Sequence, residues 1–106
     1  MYSNILIPLD GSKLAEAVLP YARALAQDLK IPVDLLYVSD PNQPTACAPF
    51  MASDYLKSIA ESFGGAGAVR YVIEAGHTAA TIIEFAAAEP EMLIAMATHG
   101  YSGTKR

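Results

Sequence analysis

The sequence predicts an α/β protein with an open, doubly wound and mostly parallel sheet. Four short apolar segments alternate with segments in which apolar residues recur every three or four positions. The first pattern is typical of buried strands, and the second is typical of helices that pack on one face. Strands separated by helices run parallel, because each helix returns the chain to the same end of the sheet.

The strands are predicted from apolar runs that stop at turn residues. The first run, 3–9, stops at the turn cluster 10–12, and the second is 33–39. The third is 68–74 and the fourth is 91–97. The fourth run is apolar on both faces, which is typical of an interior parallel strand. We therefore expect either that another chain supplies a partner strand, or that the first strand and a later strand flank it, since an uncovered apolar edge invites aggregation.

The first helix is predicted to begin at Leu14, behind the N-cap residue Ser12. Pro20 is expected to kink or divide it, because proline lacks the N–H that a helix interior needs. The stripe expected to face the sheet comprises Leu14, Val18, Tyr21, Leu25 and Leu29.

Two further helices are predicted between the later strands. One covers 53–63 with Ser53 as its cap, and the glycines that follow end it. The other covers 79–89, is entered at His77 and ends at Pro90. Its inward residues are expected to be Ile82, Phe85 and Ala86.

Composition excludes several classes of protein. The 106 residues are 53% hydrophobic and 17% charged, which suits one ordered domain and argues against disorder. No apolar run reaches the roughly 18–20 residues of a membrane span, and the N-terminus lacks signal-peptide features. The net charge of −4, without a basic cluster before Lys105, argues against nucleic-acid binding. We therefore expect a cytoplasmic protein with neither a membrane nor a nucleic acid as partner.

Ligands of open α/β sheets bind beyond the carboxyl ends of the strands, where the strand order reverses. Strands one and four are the natural neighbours of that point, so Asp10 and the loop 98–103 are expected on opposite lips of one crevice. The loop contains Gly100 and Gly103, two hydroxyl side chains and His99. Glycines allow backbone N–H groups to wrap an anion such as phosphate.

Each of these features also has an ordinary structural explanation. Gly-x-x-Gly occurs in many plain connecting loops, and Asp-Gly is a favoured turn pair, so Asp10 is equally a turn residue. For His99 the more common explanation is a loop histidine without a role. The single cysteine, Cys47, excludes an internal disulfide, and it has no basic neighbour to activate it as a nucleophile.

Four segments taken together resemble the universal stress protein family. They are Ile-Leu-Ile-Pro-Leu-Asp-Gly-Ser at 5–12, Leu-Leu-Tyr-Val at 35–38, Glu-Ala-Gly-His at 74–77 and Met-Ala-Thr-His-Gly-Tyr-Ser-Gly at 96–103. The resemblance covers essentially the whole chain. It implies a Rossmann-like sheet of the adenine nucleotide hydrolase-like type with five strands, frequent homodimers, and one branch that binds ATP beside another that does not.

The resemblance also implies a nucleotide site in this sequence. Pro8 and Asp10 would border the adenosine, the backbone of Val38 would contact adenine, and 96–102 would wrap the ribose and phosphates. Mg²⁺ or Mn²⁺ would accompany the phosphates, while no metal ligand and no catalytic residue of the chain itself is expected. The implied nucleotide-binding residues are Pro8, Asp10, Val38, Met96, Ala97, Thr98, His99, Gly100, Ser102 and Gly103.

Two departures from the family pattern bear on this site. Ala97 stands where the binding branch has its first motif glycine, and the final Gly-Ser/Thr pair of the motif would begin four positions beyond Arg106. We therefore expect one domain over 1–106 that lacks the C-terminal helix and strand, with four of the five strands. The alternative to an ATP-binding stress-response module is a member that binds no nucleotide and acts through dimerisation and protein partners.

Enzymes on related α/β folds fit the sequence less well. A P-loop needs Gly-Lys-Ser/Thr, which the sequence lacks. A phosphorylated receiver domain needs paired acids after strand one, but Asp10 stands alone there. No nucleophile with an adjacent base is visible. At most slow ATP hydrolysis is expected.

Overall fold

The structure, a computed structural model, describes residues 2–64 and 68–97 of the chain. Strands are β1 (Asn4–Pro8), β2 (Val33–Ser39), β3 (Val69–Ala75) and β4 (Met92–Ile94). Helices are α1 (Lys13–Glu16), α2 (Leu19–Leu29), α3 (Ala52–Glu61) and α4 (Thr78–Ala87). The predicted succession of strands and helices is confirmed, and most boundaries move by one or two residues.

The strands form one parallel sheet in the order β3-β2-β1-β4. From β1 to β3, strands that are consecutive in the sequence are neighbours in the sheet. The chain then crosses back and places β4 on the other side of β1. Because crossovers between parallel strands are right-handed, this reversal moves the connecting helix to the opposite face. The predicted α/β fold with a doubly wound parallel sheet is confirmed.

The two central strands are buried on both faces. Ile5 and Leu35 belong to a core shared with α2 and α3, whereas Leu6 and Leu36 belong to a second core under α4. Successive residues of a strand point to opposite faces, so continuous apolar runs are what a sheet covered on both sides requires. As predicted, the residues that α4 contributes to its core are Ile82, Phe85 and Ala86.

The first helical segment is divided, as predicted. Ser12 caps α1 by accepting a hydrogen bond from the Ala15 N–H at 3.1 Å, and Pro20 lies in the first turn of α2, where its missing N–H costs nothing.

The predicted apolar stripe of this segment is wrong. Tyr21 is 76% exposed, Leu14, Leu25 and Leu29 are also exposed, and only Val18 of the stripe packs against the core. The buried residues of α2 are Leu19, Ala22 and Ala26. The break before α2 resets the helical phase, and the two alanines allow the helix to lie close against the strands, so the larger side chains point away.

Two other local expectations need correction. Ser53 does not cap α3, because Met51 is the N-cap and a single 3₁₀ turn, Pro49–Met51, leads directly into the helix. The fourth strand covers only Met92–Ile94 instead of 91–97. Among the described residues β4 pairs with β1 alone, so the interior position expected for it is not seen.

A buried carboxylate joins three strands at the amino end of the sheet. Asp34 is 1% exposed, and its carboxylate accepts hydrogen bonds from Nδ2 of Asn4 at 2.7 Å and from Nε and Nη2 of Arg70 at 2.8 and 3.0 Å. The carboxylate raises the pKa of the Arg70 guanidinium through these hydrogen bonds and its charge. Such a two-pronged arginine pair satisfies a buried charge that would otherwise be costly.

We expect Arg70→Met to lower the free energy of unfolding by about 2 kcal/mol, because Asp34 stays buried with only Asn4 as partner. This is less than the loss of a fully buried pair, since Arg70 itself is largely exposed. Urea unfolding monitored by circular dichroism measures the change. Arg23→Met is the matched control, because Arg23 hydrogen-bonds the exposed hydroxyl of Ser62 and lies over the Phe63 ring, and neither partner is a buried charge. Equal losses in the two variants would contradict the role given to Asp34.

Candidate functional site

A cleft of about 150 Å³ opens at the carboxyl end of the sheet, beside the point where the strand order reverses. Its floor is formed by the ends of β1 and β2, through Pro8, Leu36 and Val38. One wall belongs to α4, which contributes Thr78 and Ile82. This is the position where open α/β sheets hold ligands.

The predicted site residues within the described ranges come together at this cleft. Pro8, Asp10, Val38, Met96 and Ala97 all line it, although they come from three separate parts of the chain. The cleft therefore lies where the sequence placed the crevice between strands one and four. The remaining predicted residues, Thr98, His99, Gly100, Ser102 and Gly103, lie outside the residues that the structure describes.

Ala97 causes no backbone strain at the position where the family motif has glycine. Lys30, with a φ of 56°, is the one non-glycine residue with positive φ in the described ranges. Ala97 therefore lies in a conformation that any residue adopts, and its methyl group costs nothing in backbone energy.

Asp10 shapes the turn that leaves β1. One carboxylate oxygen, Oδ1, accepts a hydrogen bond from the Ser12 N–H at 2.8 Å, and the carbonyl oxygen of Asp10 accepts one from the Cys47 N–H at 2.9 Å. Gly11 follows with a φ of 90°. A side chain at Gly11 would collide with Cβ of Cys47 and lie 2.6 Å from its backbone nitrogen. Only glycine fits there, so the turn and the Cys47 segment are packed as one piece.

The rim of the cleft above β2 is fastened from inside the core. Tyr37 is fully buried, its hydroxyl donates to the carbonyl oxygen of Cys47 at 2.6 Å, and it lies 2.7 Å from Oγ1 of Thr45. These bonds fold the segment 40–48 over the end of β2, which places Gln43 and Thr45 on the cleft.

The sequence does not single out Gln43, Pro44 and Thr45, because they lie in a segment, 40–52, that contains three prolines and has neither a strand nor a helix pattern. The signal that was available was Tyr37, a residue with a polar tip in an otherwise apolar buried strand. A buried tyrosine hydroxyl requires a partner, and the loop that follows is the nearest source of one.

Asp40 connects the end of β2 to the start of α4. The side chain is 7% exposed; Oδ1 accepts from the Asn42 N–H at 2.8 Å, and Oδ2 accepts from the N–H and hydroxyl of Thr78 at 2.8 and 2.9 Å. The two backbone hydrogen bonds hold the pKa of the Asp40 carboxyl below its ordinary value. As predicted, His77 is the residue of entry to α4, with Nδ1 facing the Ala80 N–H at 3.5 Å.

A second polar pair fixes α1 against α3 behind the cleft. The Tyr55 hydroxyl donates to the Glu16 carboxylate at 2.6 Å. Burial and the neighbouring Glu16 carboxylate raise the pKa of Tyr55, so the hydroxyl stays protonated and remains a donor. Ala15, which precedes Glu16, faces the cleft.

Over 2–64 and 68–97 no three or more His, Cys, Asp or Glu side chains form a group able to hold a metal ion. In the same ranges no helix is long and apolar enough to cross a membrane.

The model of the universal stress protein family matches residues 1–106, and the chain belongs to this family. No sequence among the curated proteins matches it.

Solved structures of universal stress proteins share the fold. The chain is 24% identical to UspA from Lactobacillus plantarum, with a TM-score of 0.73, and the match covers 97% of this chain and 83% of that one. It is 30% identical to a family member from Burkholderia pseudomallei, with a TM-score of 0.65 and coverages of 92% and 83%. A universal stress protein in complex with cAMP is 16% identical, with a TM-score of 0.68 and coverages of 90% and 75%.

We expect Asp40→Ala to lower the melting temperature at pH 7, because two backbone N–H groups lose their acceptor. The folded-state pKa of Asp40 lies below the unfolded value of about 3.9, so its stabilisation is complete above that pH. The stabilisation is then lost as the pH falls through the folded-state pKa. The difference from the wild-type melting temperature should therefore narrow below about pH 4.

Thermal unfolding at pH 7, 5, 4 and 3 measures this effect. Asp28→Ala, at an exposed position of α2, removes the same charge without removing a bond to α4. A difference between Asp40→Ala and wild type that stays constant down to pH 3 would contradict the role of the carboxylate.

Proposed function

We propose that the chain binds an adenine nucleotide, ATP, in the cleft between β1 and β4 and serves as a regulatory module of the stress response. The observation that carries this proposal is the meeting of Pro8, Asp10, Val38, Met96 and Ala97 around one cleft at the reversal of strand order. A protein of the same fold is known in complex with cAMP, which supports a nucleotide as the class of ligand.

The cleft offers the adenine base an apolar surface. Val38 and Leu36 form the floor, and Ile82 and Met96 stand at the sides. Met96 is 44% exposed, so its flexible thioether side chain has room to pack on a base. Mostly apolar walls with a few polar groups at the rim are typical of small-molecule sites.

Asp10 is the group we assign to the ribose. Its Oδ1 is held by the Ser12 N–H, and within the described part of the chain Oδ2 accepts no hydrogen bond. A carboxylate oxygen is a strong acceptor for a ribose hydroxyl. The same turn that fixes Asp10 through Gly11 and Cys47 would therefore hold it ready for the sugar.

The phosphates are assigned to the loop that contains Thr98, His99, Gly100, Ser102 and Gly103, with Mg²⁺ or Mn²⁺ bound through the phosphate oxygens. We propose that this loop and the described residues belong to one domain. Within the described ranges Asp10 is the one carboxylate that lines the cleft, and we assign it to the ribose, so we propose that the bound nucleotide is a signal, with slow hydrolysis at most.

We expect Asp10→Ala to weaken ATP binding at least tenfold, because the ribose loses a charge-assisted hydrogen bond of about 1.5–3 kcal/mol. Isothermal titration calorimetry with Mg-ATP measures the dissociation constant. Asp10→Asn separates the two roles of the residue, since its amide oxygen can still accept from Ser12 while the charge is lost. Asp54→Ala, at an exposed position in the first turn of α3, is the control.

If wild-type protein binds neither ATP nor cAMP, and none is released on denaturing freshly purified protein, nucleotide binding is ruled out. The non-nucleotide alternative then stands. If ATP binds but Asp10→Ala binds it as tightly as Asp54→Ala does, the ribose assignment fails while nucleotide binding remains.

A further inference from the structure

The polar side chains of the cleft differ in whether they can still donate a hydrogen bond to a ligand. Within the described ranges four polar side chains line it: Asp10, Gln43, Thr45 and Thr78. The carboxylate of Asp10 only accepts hydrogen bonds. A threonine hydroxyl has a single proton and therefore donates once.

The protons of both threonine hydroxyls are used inside the protein. Oγ1 of Thr78 donates to Oδ2 of Asp40 at 2.9 Å. Oγ1 of Thr45 lies 2.7 Å from the Tyr37 hydroxyl and 2.6 Å from the carbonyl oxygen of Cys47, so its proton goes to one of these two oxygens. Each threonine hydroxyl still accepts hydrogen bonds, but neither has a proton left for a ligand.

The side-chain amide of Gln43 is in a different situation. The side chain is exposed, and within the described part of the chain its amide takes part in no hydrogen bond. A carboxamide carries two N–H donors beside one carbonyl acceptor. Among the side chains that line the cleft over 2–64 and 68–97, Gln43 is thus the one that has a proton to offer to a ligand.

The backbone on both sides of Gln43 holds it at the rim. Its N–H donates to the carbonyl oxygen of Asp40 at 3.1 Å and closes a tight turn, and Asp40 is itself buried. On the other side, Pro44 favours an extended backbone at Gln43, and Thr45 is fastened to the buried Tyr37. The root of the side chain is therefore fixed, while the amide turns about its own side-chain torsions.

We propose that Gln43 recognises the purine base of the bound nucleotide. Its carbonyl oxygen accepts from the 6-amino group of adenine, and its N–H donates to the neighbouring ring nitrogen. On adenine the amino group lies between two ring nitrogens that are both acceptors, so a carboxamide forms this pair of bonds on either side of it. The inference rests on the proposed function, the binding of ATP in this cleft, and adds a residue that determines specificity.

The cleft needs such a donor if it is to hold adenine well. The side chains of Leu36 and Val38 contact any purine ring, and the ribose assigned to Asp10 is common to all nucleosides. A ring nitrogen that faced only acceptor oxygens would lose its bond to water without a replacement, which lowers affinity. Gln43 supplies the missing proton and, through its carbonyl oxygen, a preference for a base that has an amino group.

A pair of ligands tests this role directly. Purine riboside triphosphate lacks the 6-amino group and otherwise matches ATP. Wild-type protein should bind ATP about tenfold more tightly than this analogue, because the amide is hydrated without ligand and the gain is the net value of replacing water. In Gln43→Leu, which keeps an apolar side chain of similar size, the ratio of the two dissociation constants should fall about fivefold. Isothermal titration calorimetry with both ligands in the presence of Mg²⁺ measures the ratio.

Two further variants separate a contact to the base from a general loss of the site. Gln27→Leu makes the same substitution at an exposed position of α2 and should leave both dissociation constants unchanged. Asp10→Ala should weaken both ligands by the same factor, because they share the ribose, and so should keep the wild-type ratio. Circular dichroism checks that each variant is folded.

The outcomes distinguish this inference from the function on which it rests. A ratio in Gln43→Leu that equals the wild-type ratio, with ATP still bound by wild type, overturns the role of Gln43 and leaves ATP binding standing. If wild-type protein binds neither triphosphate, the proposed function fails and the role of Gln43 fails with it. A fall of the ratio in Gln43→Leu, but not in Asp10→Ala or Gln27→Leu, supports the proposal.

Discussion

The parallel pairing of β1 with β2, buried on both faces, is the constraint on which the rest of the molecule depends. A sheet with two apolar faces needs helices on both, and right-handed crossovers place helices on the second face only if the strand order reverses. The reversal after β3 meets this need, because α4 covers Leu6 and Leu36. The cleft at the carboxyl ends of the strands is a consequence of the same reversal, since it opens beside β1, which has β2 on one side and β4 on the other.

Buried carboxylates at the two ends of β2 give this apolar layer its specificity. Asp34 at the amino end connects β2 to its two neighbouring strands through Asn4 and Arg70. Asp40 at the carboxyl end connects β2 to α4 through Thr78. Apolar strands alone tolerate slippage of register, whereas a buried charge must meet its particular partner. The strand that the core depends on most is thus fixed at both ends by polar contacts.

Sequence patterns predicted the strands and the division of the first helix because burial and proline chemistry act locally. They failed for Tyr21 and Leu25, because the close approach of Ala22 to the sheet decides which side of α2 is buried, and that approach is a tertiary property. The partnership of Asp34 with Arg70 could not be predicted either, since it depends on strand register. Five site residues were predicted through the family pattern, whereas Gln43 and Thr45 reach the cleft only because Tyr37 bonds a carbonyl ten residues later.

The buried Tyr37 hydroxyl also makes the sides of the cleft unequal. It fastens the segment over β2 to the core, while Asp40 fastens the adjoining end of α4, so these two sides of the cleft form a fixed rim. The side formed by Met96 and Ala97 follows a strand of only three residues that has one partner in the described part of the chain. The cleft thus has two sides held by polar contacts to the core, and a third side that follows a short strand paired with β1.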